Sequence, residues 1–282
     1  MKGLDKVLQG VLKFRKSVRK DLVKQFDQLK NHPDALHPTA LMFTCMDSRL
    51  LPSEFTQSRV GDMFVVRNSG NMVPAAKSYG SSGNEVSVNT EPAALELGVK
   101  RGNIHHVIVC GHSDCKAINT LYELDTNVVK FNEKSPMDRW LRRNGYDSLK
   151  KLKDRIKDGP EVALHFGNEQ ETLSFDAFID PKDELHVEDK LSQINTLQQL
   201  LNIASHDFME EYLIDHKVYL TAMWFDIYDA NMYLFSKADK QFVMIDEQTA
   251  GLFLEQVKQE MSEVKENNHV KCLKWKPVSC CI

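Results

Sequence analysis

The strongest constraint on this chain is an apolar run that ends in three reactive side chains. The run ALMFT at 40–44 leads directly into Cys45, Asp47 and Arg49. A short apolar run bounded by turn residues is typical of a buried strand. In open α/β sheets, ligands bind at the carboxyl ends of the strands. A thiol, a carboxylate and a guanidinium are therefore expected at that edge.

A second apolar run completes the first. The run IHHVIVC at 104–110 predicts another buried strand, and Gly111, His112 and Cys115 follow it. If the two strands are neighbours in one parallel sheet, their carboxyl ends meet and Cys45 joins His112 and Cys115. We take Gly111 to allow a tight turn at this point.

Two thiolates and one imidazole are a known ligand set for catalytic zinc, which keeps one position open for water. Singly, each signal is weak, because an H-x-x-C motif arises by chance and a cysteine at a strand end is usually a small buried hydrophobe. Together they predict one zinc ion per chain, with Cys45, His112 and Cys115 as metal ligands.

Asp47 and Arg49 extend this site. Asp47 follows a ligand by two residues, so it can bind the metal or orient a metal-bound water, and Arg49 can hold its carboxylate with two hydrogen bonds. The alternative is a helix cap or a surface ion pair. Two thiolates weaken zinc as a Lewis acid, so an acceptor for the water is useful. We predict that Asp47 and Arg49 are catalytic and that Asp47 is a candidate fourth metal ligand.

The order of elements indicates the fold class. Residues 40–125 alternate strand, loop, helix and strand, which is typical of an α/β protein with a mostly parallel central sheet flanked by helices. We expect a helical arm at 1–36 and one α/β domain at 37–282, with a polar insertion at 160–185. Residues 72–89, rich in Gly, Ser and Asn, are expected to form a mobile surface loop.

Two further local expectations concern helices. Ser113 and Asp114 are expected to cap the helix that follows them. The apolar residues of 1–30 recur at spacings of three and four, which predicts one or two amphipathic helices with a basic polar face. Such a segment is either an arm that packs on the body or a partner subunit, or a mitochondrial targeting helix. Both can hold.

Composition excludes several classes. The net charge of −4 gives no case for nucleic-acid binding. No apolar run approaches the roughly 18 residues that a membrane span needs, so no membrane partner is expected. Six cysteines, three of them near the end, do not resemble a disulfide framework. We expect a reducing, intracellular compartment, either the mitochondrial matrix or the cytoplasm.

Three stretches together resemble the β-class carbonic anhydrases, especially the invertebrate members. They are FTCMDSR at 43–49, GDMFVVRNSGN at 61–71 and GHSDCKA at 111–117, joined by EPAALEL at 91–97. The resemblance is dense over 40–125 and resumes more loosely at Asn195 and at 224–227.

The resemblance implies an α/β fold with an added antiparallel edge strand. It implies an obligate homodimer, often paired into a homotetramer, with the N-terminal helix reaching over the partner. It implies that Cys45, His112 and Cys115 bind zinc, and that Asp47 pairs with Arg49 or swings onto the metal to close the site. The implied reaction is the reversible hydration of carbon dioxide to bicarbonate and a proton by a zinc-bound hydroxide.

Two other functions fit the same residues. One is a zinc-stabilised interaction protein of the same fold without catalysis, although such a protein has no need of Asp47 and Arg49. The other is a hydrolase of carbonyl sulfide or carbon disulfide, with the same metal ligands and different pocket walls.

Overall fold

The computed structural model describes residues 2–31, 38–79, 89–168 and 172–267 of the 282-residue chain. Its strands are β1 (Ala40–Cys45), β2 (Met63–Asn68), β3 (His106–His112), β4 (Leu164–Phe166), β5 (Phe175–Ala177), β6 (Tyr219–Phe225), β7 (Met232–Ser236) and β8 (Gln241–Met244). Its α-helices are α1 (Lys2–Ser17), α2 (Arg19–Asn31), α3 (Pro52–Thr56), α4 (Thr90–Glu96), α5 (Lys116–Asp125), α6 (Pro136–Asp158), α7 (Val187–Ala204), α8 (Asp207–Ile214) and α9 (Thr249–Asn267). None of the helices in this part of the chain has the length and apolar character needed to cross a membrane.

Six strands form one sheet in the order β2-β1-β3-β6-β7-β8. The first four are parallel, and β7 and β8 add an antiparallel edge. In the register of β1 and β3, Thr44 pairs with Cys110, so the two carboxyl ends lie side by side. The predicted fold class, a mostly parallel sheet with an antiparallel edge, is confirmed.

Burial follows the place of each strand in the sheet. Leu41, Met42 and Phe43 in β1 are at most 1% exposed, as expected for an inner strand of a parallel sheet that is covered on both faces. At the edge, β2 leaves Phe64 and Val65 exposed. The first candidate ligand therefore lies at the end of a fully buried strand.

Helix α7 is the main support of the sheet. It packs against β3 and β6, and α6 and α5 pack against it. Most of its residues are buried, including Leu191, Ile194 and Leu197. A helix buried nearly all round belongs to a protein core. Its polar side chains must therefore find partners inside the protein.

The N-terminal arm is confirmed as two helices, α1 and α2. Its large apolar side chains are exposed, as in Leu8, Leu12 and Phe26. The domain boundary placed at 36/37 stays a prediction.

Two segments differ from simple surface loops. Within 160–185, β4 and β5 form an antiparallel hairpin whose Phe166 and Ala177 are fully buried. This segment therefore contributes to the core, and its description as an insertion stays a prediction. The expectation of a mobile surface loop at 72–89 is wrong at its start, because Met72 and Val73 are fully buried. Residues 80–88 lie outside the described residues.

Candidate metal centre

The three predicted ligands come together at the carboxyl ends of β1 and β3. Cys45 ends β1, His112 ends β3, and Cys115 is the residue before α5. The Sγ atoms of Cys45 and Cys115 are 3.8 Å apart. The ligand atoms of all three residues lie within 4.8 Å of one another, and each residue is at most 4% exposed. Three residues separated by up to 70 positions thus converge on one buried point.

The His112 ring presents one nitrogen to this point. Its Nδ1 lies 2.8 Å from the Ser113 carbonyl oxygen, which only accepts, so Nδ1 carries the proton and donates it. In the neutral ring Nε2 is then the acceptor, and it is buried without a hydrogen-bond partner among the described residues. A buried lone pair beside two sulfurs suits a metal ion. The chemistry of two thiolates and one imidazole fits zinc.

The two sulfurs share their protons unequally. The hydrogen bond from Cys115 lowers the pKa of Cys45 to about 4. The same bond, together with burial, raises the pKa of Cys115 well above its usual range. The backbone N–H groups of Ala117 and Ile118 oppose that rise. The pair therefore keeps one proton between two sulfurs, and a cation can replace that proton.

Asp47 and Arg49 form the predicted pair. Arg49 Nε lies 3.0 Å from Asp47 Oδ1, and Arg49 Nη2 lies 2.7 Å from Oδ2. The Arg49 backbone N–H also donates to Oδ1, at 2.9 Å. Chiefly through the side-chain bond to Arg49, the pKa of Asp47 falls to about 2. Both carboxylate oxygens are held by Arg49, so the role of Asp47 as a fourth metal ligand stays a prediction.

Asp114 is a second carboxylate on Arg49 that the sequence did not reveal. Arg49 Nη1 donates to Asp114 Oδ2 at 2.8 Å, and Arg49 Nη2 donates to the Asp114 carbonyl oxygen at 2.9 Å. The expectation that Ser113 and Asp114 cap α5 is wrong, because Cys115 is the N-cap residue. Ser113 instead donates to Asp226 Oδ1 at 2.8 Å. The sequence signal for the contact with Arg49 was an acidic residue, Asp114, between His112 and Cys115 in the H-x-x-C motif.

Gly111 is needed for close packing, not for a turn. It lies inside β3, and a Cβ atom added to it would be 2.0 Å from Thr196 Oγ1 on α7. The expected tight turn is therefore wrong. Instead, the residue before the ligand His112 lets β3 and α7 approach each other.

A row of polar residues on α7 holds the backbone of the site, and sequence reasoning missed most of it. The Asp189 carboxylate accepts the Asp114 N–H at 2.7 Å, and the Ser192 hydroxyl donates to the His112 carbonyl at 2.6 Å. The Asn195 amide donates to the Gly70 carbonyl at 3.0 Å. The row continues to the backbone of Val73. Its members are Asp189, Ser192, Asn195, Gln199 and Asn202.

The spacing of this row, three or four residues, places it on one helical face. That spacing inside a helix with many apolar residues was a readable signal, although the family resemblance pointed only to Asn195. From β2, Arg67 holds the other side of the site by donating to the carbonyl oxygens of Cys45 at 3.0 Å and Asp47 at 2.6 Å.

The fold and the site define a class of protein. Three protein ligands at the ligand-binding edge of a parallel sheet leave a position for water, which is the arrangement of catalytic zinc sites. The adjacent Asp47–Arg49 pair supports catalysis over a purely structural metal. The molecule is therefore an α/β zinc enzyme.

Comparisons with known proteins define the family. A family model described as carbonic anhydrase matches residues 40–232. Beta carbonic anhydrase 1 of Caenorhabditis elegans is 60% identical over 87% of this chain and 90% of its own length. The protein of the same name from Caenorhabditis briggsae is 55% identical over the same shares. This chain belongs to the carbonic anhydrase family, in its β class.

A solved structure agrees on the fold. The β-carbonic anhydrase CcaA superposes with a TM-score of 0.66 at 24% identity, covering 88% of this chain and 94% of that one. At this identity the likeness concerns the fold alone.

Proposed function

We infer that this protein is a zinc-dependent carbonic anhydrase, a lyase that catalyses the reversible hydration of carbon dioxide to bicarbonate and a proton. The observation that carries the inference is the buried convergence of Cys45, His112 and Cys115 beside the Asp47–Arg49 pair. The 60% identity to a nematode β carbonic anhydrase supports it. No observation favours the non-catalytic alternative or the hydrolase of carbonyl sulfide or carbon disulfide.

Zinc held by Cys45, His112 and Cys115 would supply Lewis acidity, which would make a water molecule acidic near neutral pH. The residues of the chain supply the rest. With its pKa near 2, Asp47 stays a carboxylate throughout the neutral range and accepts hydrogen bonds without taking the proton. Arg49 fixes the direction of that carboxylate with two parallel bonds. Asp47 therefore orients the attacking water, and the released proton leaves to buffer.

The test is a stopped-flow assay of carbon dioxide hydration on protein that holds one zinc per chain. Asp47→Asn is expected to keep its zinc and to lose activity by about a hundredfold, in the range for a positioned proton-handling group. Asp158→Asn, a neutralised acid at the exposed end of α6, is the control and should keep the parental rate.

Each outcome separates the hypotheses. A parent protein that holds zinc but does not hydrate carbon dioxide indicates the non-catalytic alternative. An Asp47→Asn variant with full zinc and the parental rate shows that the role given to Asp47 is wrong. Competition between carbon dioxide and carbonyl sulfide shows which substrate is preferred.

We also propose that the protein is a homodimer, able to pair into a tetramer, with each arm packed on its partner. The support is the apolar face of the arm, where Leu4, Leu8 and Leu12 are 54 to 58% exposed. An amphipathic helix normally buries such a face. The solved carbonic anhydrases of Sordaria macrospora are described as tetrameric.

In sedimentation velocity, Leu8→Asp is expected to shift the protein to a smaller species, and Lys13→Asp on the polar face is the control. Equal sedimentation of Leu8→Asp and the parent would refute the packing.

For location we propose the mitochondrial matrix or the cytoplasm. The basic, amphipathic arm favours the matrix, whereas free thiol ligands require only a reducing compartment. Imaging of the chain with a carboxyl-terminal fluorescent tag, with and without residues 1–31, distinguishes the two. Secretion of the tagged protein would refute both.

A further inference from the structure

The direction of Asp47 depends on Asp114. Both the carboxylate and the carbonyl of Asp114 accept hydrogen bonds from Arg49, at 2.8 and 2.9 Å. Lys116 and Asn119 hold the other oxygen of the same carboxylate, each at 3.2 Å. Arg49 is thus fixed at one end by Asp114 and holds Asp47 with the other, so a displaced Asp114 would misdirect Asp47.

The backbone conformation of Asp114 costs some free energy. Its φ is +47°, in the left-handed region that residues with a side chain adopt at a cost. Its neighbours His112 and Cys115 are committed to the metal point. A hydrogen bond from outside the loop would help to hold this backbone conformation.

The contact comes from α7. Asp189, in the first turn of the helix, accepts the Asp114 backbone N–H at 2.7 Å and is only 3% exposed. A buried carboxylate is costly unless it is hydrogen-bonded. The hydrogen bond from the Asp114 N–H offsets part of that cost.

We infer that Asp189 is a positioning residue for the hydration reaction: by holding the Asp114 N–H, it fixes Arg49 and hence the direction of the Asp47 carboxylate. The inference rests on the proposed function. It assigns Asp189 no contact with substrate or metal, and it assigns the effect to the hydrogen-bond acceptor rather than to the charge.

The experiment compares Asp189→Ala with Asp189→Asn in the zinc-loaded full chain. Asparagine keeps an oxygen acceptor at the same distance, and alanine keeps none. Glu188→Ala, which removes a neighbouring acid from the same helical turn, is the control. Three quantities are measured: zinc per chain, kcat and KM for hydration, and the hydrogen–deuterium exchange rate of the Asp114 amide.

Asp189→Ala is expected to keep its zinc and to exchange the Asp114 amide at least about tenfold faster than the parent. Its kcat should fall by about tenfold or more with little change in KM, because a small misplacement of the Asp47 carboxylate is costly in catalysis. Asp189→Asn and Glu188→Ala should stay within about threefold of the parent in all three quantities. If Asp189→Ala does not fold, Asp189→Gln, with its amide one bond farther out, takes its place under the same expectations.

The inference is overturned if the Asp114 amide of Asp189→Ala exchanges at the parental rate, or if Asp189→Ala loses its zinc. It is also overturned if Asp189→Asn is impaired as strongly as Asp189→Ala. Failure of the proposed function can be distinguished from failure of this inference, because a zinc-loaded parent without hydration activity refutes the proposed carbonic anhydrase activity itself. The exchange rate of the Asp114 amide still tests the contact with Asp189.

Discussion

Replacing Gly111 with alanine should damage both the core and the metal site. The added Cβ would lie 2.0 Å from Thr196 Oγ1, 3.3 Å from Thr196 Cβ and 3.3 Å from Trp224 Cδ1. Thr196 is fully buried, and its hydroxyl donates to the Ser192 carbonyl at 2.8 Å. Neither the central strand β3 nor the buried helix α7 has room to retreat, so Thr196 must rotate or the two elements must separate.

The expected cost follows from these two effects. Forcing a methyl group into a packed core costs about 1–3 kcal/mol. Displacing the Thr196 hydroxyl adds about 1 kcal/mol for the disturbed hydrogen bond. Gly111→Ala is therefore expected to lower the free energy of unfolding by about 2–4 kcal/mol. Since His112 follows directly, the variant should also hold zinc more weakly.

Urea unfolding of the zinc-loaded chain, with zinc content measured beside it, is the assay. Thr196→Ala removes the clashing atom, so the double variant should recover about 1–3 kcal/mol relative to Gly111→Ala. Gly251→Ala is the control, because a Cβ there meets nothing within 4 Å. A parental urea midpoint for Gly111→Ala, or a double variant no more stable than the single one, would refute the reasoning.

Two further predictions concern charge and metal. Arg49→Gln should return the Asp47 pKa from about 2 toward the ordinary aspartate value of 3.8. Because the folded-state pKa is the lower one, the stabilisation is complete above about pH 4 and is lost as pH falls toward 2. Since the Arg49 side chain is 39% exposed, we expect the Arg49–Asp47 pair to contribute about 1 kcal/mol to the free energy of unfolding. The measurement is the difference in unfolding free energy between parent and variant, which should shrink only below about pH 4. Chelation of zinc should lower the melting temperature, by the equivalent of about 4 kcal/mol at metal a thousandfold above its Kd. Cys115→Ser should lose most of this response, and an equal melting temperature with and without metal would count against the site.

The two ligand loops were predictable because strand and chemistry coincide in the sequence. The apolar run at 40–44, bounded by turn residues, is typical of a buried strand, and its carboxyl end gave the place of Cys45. The run at 104–110 fixed His112 in the same way. Because β1 and β3 are adjacent parallel strands, their carboxyl ends lie at the same edge of the sheet and bring Cys45 close to His112, as the register confirms.

The supports of the site were not predictable in the same way. Asp114 reads as a cap by local rules, since Asp before a helix is common. Its actual partner, Arg49, lies 65 residues away. Gly111 reads as a turn residue, whereas its partner Thr196 is on a helix that joins the sheet only in the folded protein. Local propensity gives no information on such contacts, because tertiary packing decides them.

The site thus separates into residues that hold the metal and residues that direct Asp47. Cys45, His112 and Cys115 supply the first set. Arg49 and Asp114 supply the second, supported by Asp189 from α7. Arg67 on β2 holds the backbone carbonyls of both Cys45 and Asp47, so it belongs to both sets. If the separation is real, losses in the second set should slow hydration at full zinc content, and losses in the first should remove zinc and activity together. Loss of Arg67 should therefore lower the zinc content and also slow hydration in the molecules that keep zinc.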